Sequence, residues 1–175
     1  MNSDRIKPLN SFKFNGSSVC YWMQRDKRVQ DNWALIHAQD LALKNKVPLY
    51  VCFTYLGKFE NANIRQYQFL FDGLKETSEK LNDKNIPFYL LNGDPVNEIS
   101  KFIEINNIGS LVTDFSPLKV YQNRVEKIAS KISIQFQQVD AHNIIPTWIA
   151  SEKQEYAAYT FRPKVLKKID EYLTD

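Results

Sequence analysis

Five short apolar runs punctuate the chain: Ser18 to Met23, Pro48 to Phe53, Ile86 to Leu91, Ser110 to Thr113 and Ser133 to Val139. Runs this short, bounded by turn residues, read as strands. Between them apolar residues recur every three or four positions, the spacing of an amphipathic helix. Asp31 or Asn32 is placed to cap a first helix running to about Lys46. Its polar stripe is His37, Asp40 and Lys44, so His37 is expected at the surface. A second helix spans about Ile64 to Asp83, with Ile64, Tyr67, Phe71, Leu74 and Leu81 on one face. Asp94-Pro95 opens a third, and Ser116-Pro117 repeats the cap-plus-proline start for a fourth.

Strand and helix thus alternate five times. The predicted fold is α/β: a Rossmann-like, doubly wound, five-stranded parallel sheet in three α/β/α layers. Residues 1–16 read as a polar lead-in and residues 17–150 as the α/β domain. Residues 151–175 read as a segment leaving it, helical over Lys153 to Ala158, broken at Pro163 and helical again over Lys164 to Leu173.

Composition narrows the class of protein. With 175 residues the chain is long enough for one well-cored domain and short for two. A net charge of +3 is too mild to argue for nucleic acid by itself. Cys20 and Cys52 lie inside apolar runs, where buried reduced thiols are expected. Met1 to Gly16 lacks the apolar core of a signal peptide, and no apolar run approaches the ~20 residues of a membrane span. The expectation is a soluble cytoplasmic protein with no membrane partner.

Phosphate-binding glycine loops are missing: neither GxGxxG nor GxxxxGK[ST] occurs. The turn after the first strand, Gln24 to Asp26, is glycine-free, so backbone cannot close on a pyrophosphate there. No G-x-S-x-G elbow and no clustered metal ligands appear, so no catalytic residue and no metal site is assigned. The charged residues Arg25, Asp26, Arg28 and Asp31 have two readings. They form an internal ion network that pins the turn, or they line a crevice with the loop after the fourth strand. Open α/β sheets place ligands at that switch point. Met23, Phe53 and Phe115 would then supply an apolar wall, and Gln24, Arg25, Asp114 and Ser116 the polar anchors. His142, just past the last strand, is either a structural hydrogen-bonding group or a ligand contact.

Four stretches carry a resemblance. YWMQRDKRVQDNWAL (Tyr21–Leu35) resembles the first strand and helix of DNA photolyases. VTDFSPL (Val112–Leu118), VDAHNIIPTWIAS (Val139–Ser151) and KQEYAAYTFRPK (Lys153–Lys164) are similar to class II cyclobutane-dimer photolyases, as is the lead-in Asp4–Asn10. Tyr159 stands where that pattern leads one to expect Arg. The resemblance implies an N-terminal α/β domain over 17–150 that carries or supports a light-harvesting antenna, of the 8-hydroxy-5-deazaflavin type or, second, a folate. It implies that residues 151–175 lead toward a helical domain holding FAD and the pyrimidine dimer, absent here. DNA would be met only through the full-length enzyme, and the chain alone would be inactive. The implied antenna-binding residues are Met23, Gln24, Arg25, Phe53, Asp114, Phe115 and Ser116, with Tyr55 a weaker addition. Two other readings stand beside this one: a free-standing α/β small-molecule-binding domain, and a non-enzymatic interaction module docking through Ile144, Ile145, Trp148 and Ile149.

Overall fold

The computed structural model describes residues 2–57 and 62–173. Its strands are β1 (Ile6–Pro8), β2 (Ser18–Met23), β3 (Leu49–Tyr55), β4 (Phe88–Asn92), β5 (Ile108–Asp114) and β6 (Gln135–Val139). They form one sheet in the order β1-β6-β5-β2-β3-β4. The pairs from β6 to β4 are parallel, and β1 lies antiparallel on β6, with Ile6 opposite Val139 and Pro8 opposite Gln137. The expectation of a purely parallel, five-stranded Rossmann-like sheet is therefore wrong: the sheet has six strands and is mixed. The extra strand comes from the supposed lead-in. It is three residues long, has one aliphatic side chain and ends in proline, which has no N–H to give and belongs on an edge. Asn10 prolongs the edge with its side chain, donating to the Ile134 carbonyl and accepting from the Phe136 N–H.

The central strands explain their own sequences. All six residues of β2 and all seven of β5 are buried. Alternate residues serve opposite faces. Val19, Tyr21 and Met23 pack under α1 (Trp33–Asn45) and the end of α2 (Ile64–Asn82). Cys20 and Trp22 pack under α3 (Pro95–Ile105) and α4 (Lys119–Lys131). Burying Tyr21, Trp22 and Met23 contributes roughly 1.5–3 kcal/mol each. The two polar tips among them are satisfied: Trp22 Nε1 donates to Thr54 Oγ1 at 3.1 Å, and Asn32 donates to the Tyr21 hydroxyl at 3.2 Å. Cys20 and Cys52 are buried and unbridged, with sulfurs 3.5 Å apart.

The starts of α1, α2 and α3 follow local chemistry, and that of α4 does not. Asn32 caps α1, Asn63 and Gln66 form a reciprocal capping box on α2, and Asp94 with Pro95 starts α3. Helix α4 has no side-chain cap and begins after Leu118, because Ser116 is buried and Pro117-Leu118 run on extended. His37 also departs from expectation. It is buried, with Nε2 2.9 Å from Gln137 Oε1, because α1 lies across the sheet far enough to cover β6.

Past β6 the chain continues against the domain. Lys153 to Ala157 is not helical; α5 (Thr147–Ala150), α6 (Ala158–Leu166, containing Pro163) and α7 (Ile169–Tyr172) follow. Ile145, Ala150 and Tyr172 make a small core of their own. The buried Asp140 carboxylate collects the N–H groups of His142, Asn143 and Thr147 and the Asn143 amide. Arg5 donates to the carbonyls of Asn143 and Ile144 at 2.7 Å. Trp148 Nε1 donates to the Asp4 carbonyl, and the Tyr172 hydroxyl to the Asp4 carboxylate. Among the described residues no helix is long and apolar enough to cross a membrane.

Candidate functional site

Strand numbering reverses at β2, whose neighbours are β3 and β5. In open α/β sheets the loops at such a point diverge and leave a crevice at the carboxyl ends. Asp114, the last residue of β5, governs one of them. Its Oδ1 accepts the Gln24 N–H at 2.9 Å, and its Oδ2 accepts the N–H groups of Arg25 and Asp26 at 2.6 and 2.7 Å. A glycine-free turn thus has its donors paired by a buried carboxylate. Burial pushes the Asp114 carboxyl above the ordinary carboxylate range, and the three N–H donors, which favour the ionised form, hold that rise in check.

The Gln24 side chain is locked in turn. Its Nε2 donates to Thr113 Oγ1 at 2.7 Å, and the Thr113 hydroxyl donates to the Trp22 carbonyl at 3.0 Å. That sequence of donors fixes the orientation of the amide. It leaves Gln24 Oε1 buried and without a hydrogen-bond donor.

The ion-network reading of the charged turn holds in part. Asp26 pairs with Arg28 at 3.3 Å and faces His142 Nε2 at 3.7 Å. Asp31 enters only through its carbonyl, which accepts from Arg28. The Arg25 side chain is exposed and makes no ion pair among the described residues.

Beside this turn lies a cavity of about 230 Å³. Met23, Gln24 and Lys27 line it from the β2 end, and Phe53 through Gly57 from the β3 end. Helix α2 adds Gln66, Tyr67 and Leu70, α4 adds Tyr121 and Arg124, and Ala62 lies at the rim. The aromatic wall is braced from behind: Tyr55 meets Tyr67 and Phe71 edge-on at 5.9 and 5.0 Å between ring centres. Lys27 Nζ stands 5.5 Å from the Phe53 ring centre, and the Arg124 guanidinium 5.3 Å from that of Tyr121. Burial pulls the Lys27 ammonium below its ordinary pKa.

Of the expected site residues, Met23, Gln24 and Phe53 line this cavity, as does Tyr55. Asp114 stays beneath, acting on the turn's backbone. Phe115 packs edge-on against Trp148 at 5.7 Å, and the carbonyl of the buried Ser116 accepts from Gln122, so neither is part of the lining. Arg25 is outside it too. Sequence reasoning missed Lys27, Gln66, Leu70, Tyr121 and Arg124. The i, i+3 placement of Tyr121 and Arg124 in the first two turns of α4 was the one available signal, since it puts a ring and a cation on one surface.

This cavity sits in a chain whose residues 19–173 match the family model described as DNA photolyase. The chain belongs to the DNA photolyase family. It is 47% identical over 99% of its length to the deoxyribodipyrimidine photo-lyase of Potorous tridactylus, covering 34% of that protein. To the enzyme of that name from Arabidopsis thaliana it is 41% identical over 90% of its length, covering 32%. To that of Methanothermobacter thermautotrophicus it is 33% identical over 99%, covering 39%. The chain therefore spans about a third of the length of the photolyases it matches. Its fold is similar to part of a Synechocystis cryptochrome (TM-score 0.70, 16% identity, 87% of this chain and 34% of that one). It is also similar to part of a class III photolyase from Agrobacterium tumefaciens (TM-score 0.67, 17% identity, 91% and 33%). At those identities the likeness is one of fold alone.

Proposed function

We propose that this chain is the N-terminal α/β domain of a class II cyclobutane pyrimidine dimer photolyase and that its cavity seats a light-harvesting antenna chromophore. The observation that carries the reading is the cavity itself, which lies at the β2 switch point of a photolyase-family sheet and is walled by aromatic rings. The ligand this lining suits is flat and aromatic, since Phe53, Tyr55, Tyr67 and Tyr121 offer ring contacts. It is not phosphate-led, since no described glycine opens the β2 turn to a phosphate. The orphaned Gln24 Oε1 calls for a ligand N–H or O–H, which an 8-hydroxy-5-deazaflavin carries. When bound, such a group would absorb near-ultraviolet and blue light. The protein's residues hold it flat and exclude water from its faces.

In this reading Met23, Gln24 and Phe53 touch the chromophore, and Asp114 positions Gln24 and Arg25 through their backbone. Phe115 packs against Trp148 of the segment after β6, and with Arg25 and Ser116 it would meet the ligand's outer end or the rest of the enzyme. Residues 151–175 lead toward an FAD-binding helical domain, where splitting of the dimer in DNA would take place. The class II assignment is supported by the stretches around Val112–Leu118, Val139–Ser151 and Lys153–Lys164.

The test is reconstitution. After incubation with 8-hydroxy-5-deazaflavin and gel filtration, the protein is expected to retain about one equivalent of chromophore, read by absorbance above ~350 nm. Leu70→Trp, which fills the cavity from α2, is expected to abolish retention without unfolding the sheet. Full retention by that variant would place the chromophore elsewhere.

A further inference from the structure

We propose that the outer edge of β4 pairs with a second copy of this chain, joining two sheets antiparallel across a two-fold axis at Leu90.

Strand β4 ends the sheet on the side away from β1. The two edges are built differently. Strand β1 carries Lys7 and stops at Pro8, and both discourage further pairing. Strand β4 reads Phe-Tyr-Leu-Leu-Asn, with no charge and no proline. Its bonds to β3 fix which backbone groups look outward. The Val51 N–H donates to the Pro87 carbonyl at 3.0 Å, and the Gly93 N–H to the Tyr55 carbonyl at 2.8 Å. In a parallel ladder alternate residues bond to the same neighbour. Pro87, Tyr89, Leu91 and Gly93 therefore serve β3, while Phe88, Leu90 and Asn92 turn their N–H and C=O groups away from it. Among the described residues nothing pairs with those outward groups. Pro87 is in the inner phase, so its missing N–H does not blunt the edge.

Self-complementarity selects the occupant. An antiparallel copy centred on Leu90 sets Leu90 opposite Leu90 and Phe88 opposite Asn92. Every outward residue then falls in a hydrogen-bonded pair that exchanges two N–H···O=C bonds. The same register covers the side chains the edge leaves open, Leu90 at 47% and Tyr89 at 37% exposure. Phe88 packs on the α1 side of the sheet, and Tyr89 on the α3 side, with 5.0 Å between its ring centre and that of Phe102. Side chains alternate, so Leu90 meets its own copy on the first face and Tyr89 meets Leu91 on the second. About six inter-strand bonds correspond to roughly 600–1,200 Å² of interface, the size of a weak, concentration-dependent dimer. Assembly closes at two copies, because the edges that remain outermost are the blunted β1 strands.

Sedimentation equilibrium of this chain from about 10 μM to 1 mM tests the pairing. The wild type is expected to show a monomer–dimer equilibrium with a dissociation constant on the order of 100 μM. Leu90→Lys sets like charges face to face and is expected to weaken it at least about tenfold. Phe69→Lys removes an equally apolar but fully unrelated exposed side chain of α2 and is expected to leave it within about twofold. Leu90→Cys gives a second readout: facing Cα atoms about 5.5 Å apart suit a disulfide, so oxidised glutathione should link two copies of that variant faster than two copies of Phe69→Cys. A wild type that stays monomeric at 1 mM overturns the proposal. So does a dimer that Leu90→Lys leaves intact, one that Phe69→Lys weakens as much, or cross-linking no faster at Leu90 than at Phe69.

Discussion

Removing the Asp114 carboxylate should loosen the β2 turn more than any single surface change in the molecule. In Asp114→Ala three N–H donors, those of Gln24, Arg25 and Asp26, lose the buried carboxylate that accepts them. Each unsatisfied buried donor costs about 1–3 kcal/mol. Local relaxation and entering water recover part of this, so about 3–6 kcal/mol is expected. Asp114→Asn is the subtler variant. Its amide oxygen can keep the two bonds made by Oδ2, but its NH₂ then faces the Gln24 N–H, donor against donor. The expected loss is about 2–3 kcal/mol. For a chain of this length that corresponds to a Tm lowered by roughly 5–10 °C for Asn and 10–20 °C for Ala. Urea titration followed by far-ultraviolet circular dichroism gives the free energies directly. A loss below about 1 kcal/mol in Asp114→Ala would show that the turn is held by something other than this carboxylate.

Two further outcomes follow from burial. Gly109→Ala is expected to cost at least about 2 kcal/mol, because a Cβ there would meet Gly16 N at 2.7 Å and Asn15 C at 2.9 Å, both backbone that cannot swing away; a thermal shift of under 2 °C would contradict that contact. His37 gives a pH dependence. Burial lowers its pKa in the fold, opposed by its bond to Gln137 and by Asp40, so the unfolded chain takes up the proton first. Its stabilising contribution is complete above about pH 6.5 and is lost as pH falls below that value toward its lower folded pKa. Unfolding midpoints at pH 7.5, 6.5 and 5.5 should decline in the wild type more steeply than in His37→Gln, and parallel slopes would remove His37 as the cause.

What could be read from sequence divides along physical lines. Strands β2 to β5 were legible because each is an apolar run flanked by turn chemistry, α1 and α3 because Asn32 and Asp94 cap them, and α2 because its apolar residues recur on one face. Strand β1 was not, since Ile6-Lys7-Pro8 acquires its identity only from the β6 edge it lies against. His37 was misread because a stripe of polar residues says nothing of how far the sheet extends beneath it. Met23, Gln24 and Phe53 could be named because strand ends in an α/β sheet converge on one crevice. Leu70, Tyr121 and Arg124 could not, because which turn of α2 and α4 overhangs that crevice is set by helix packing. The mixed charge pattern of the β2 turn also concealed a division of labour: Asp26 and Arg28 pair inward, while Lys27 between them turns to the cavity.

The antiparallel edge strand has a kinetic consequence. Arg5 and Asp140, which flank the β1–β6 pairing, are 135 positions apart. During synthesis at about 5–20 residues per second, β1 waits roughly 7 to 27 seconds before its partner exists. Until then β1, made before the other described strands, is the last of them that can dock, and the outer edge of β6 stays open to any other strand as soon as it forms. Closing so long a loop adds to the delay. Refolding of this domain should therefore end in a slow step confined to the Asp4–Leu9 and Asp140–Trp148 segments, with the four-helix, five-strand body already in place.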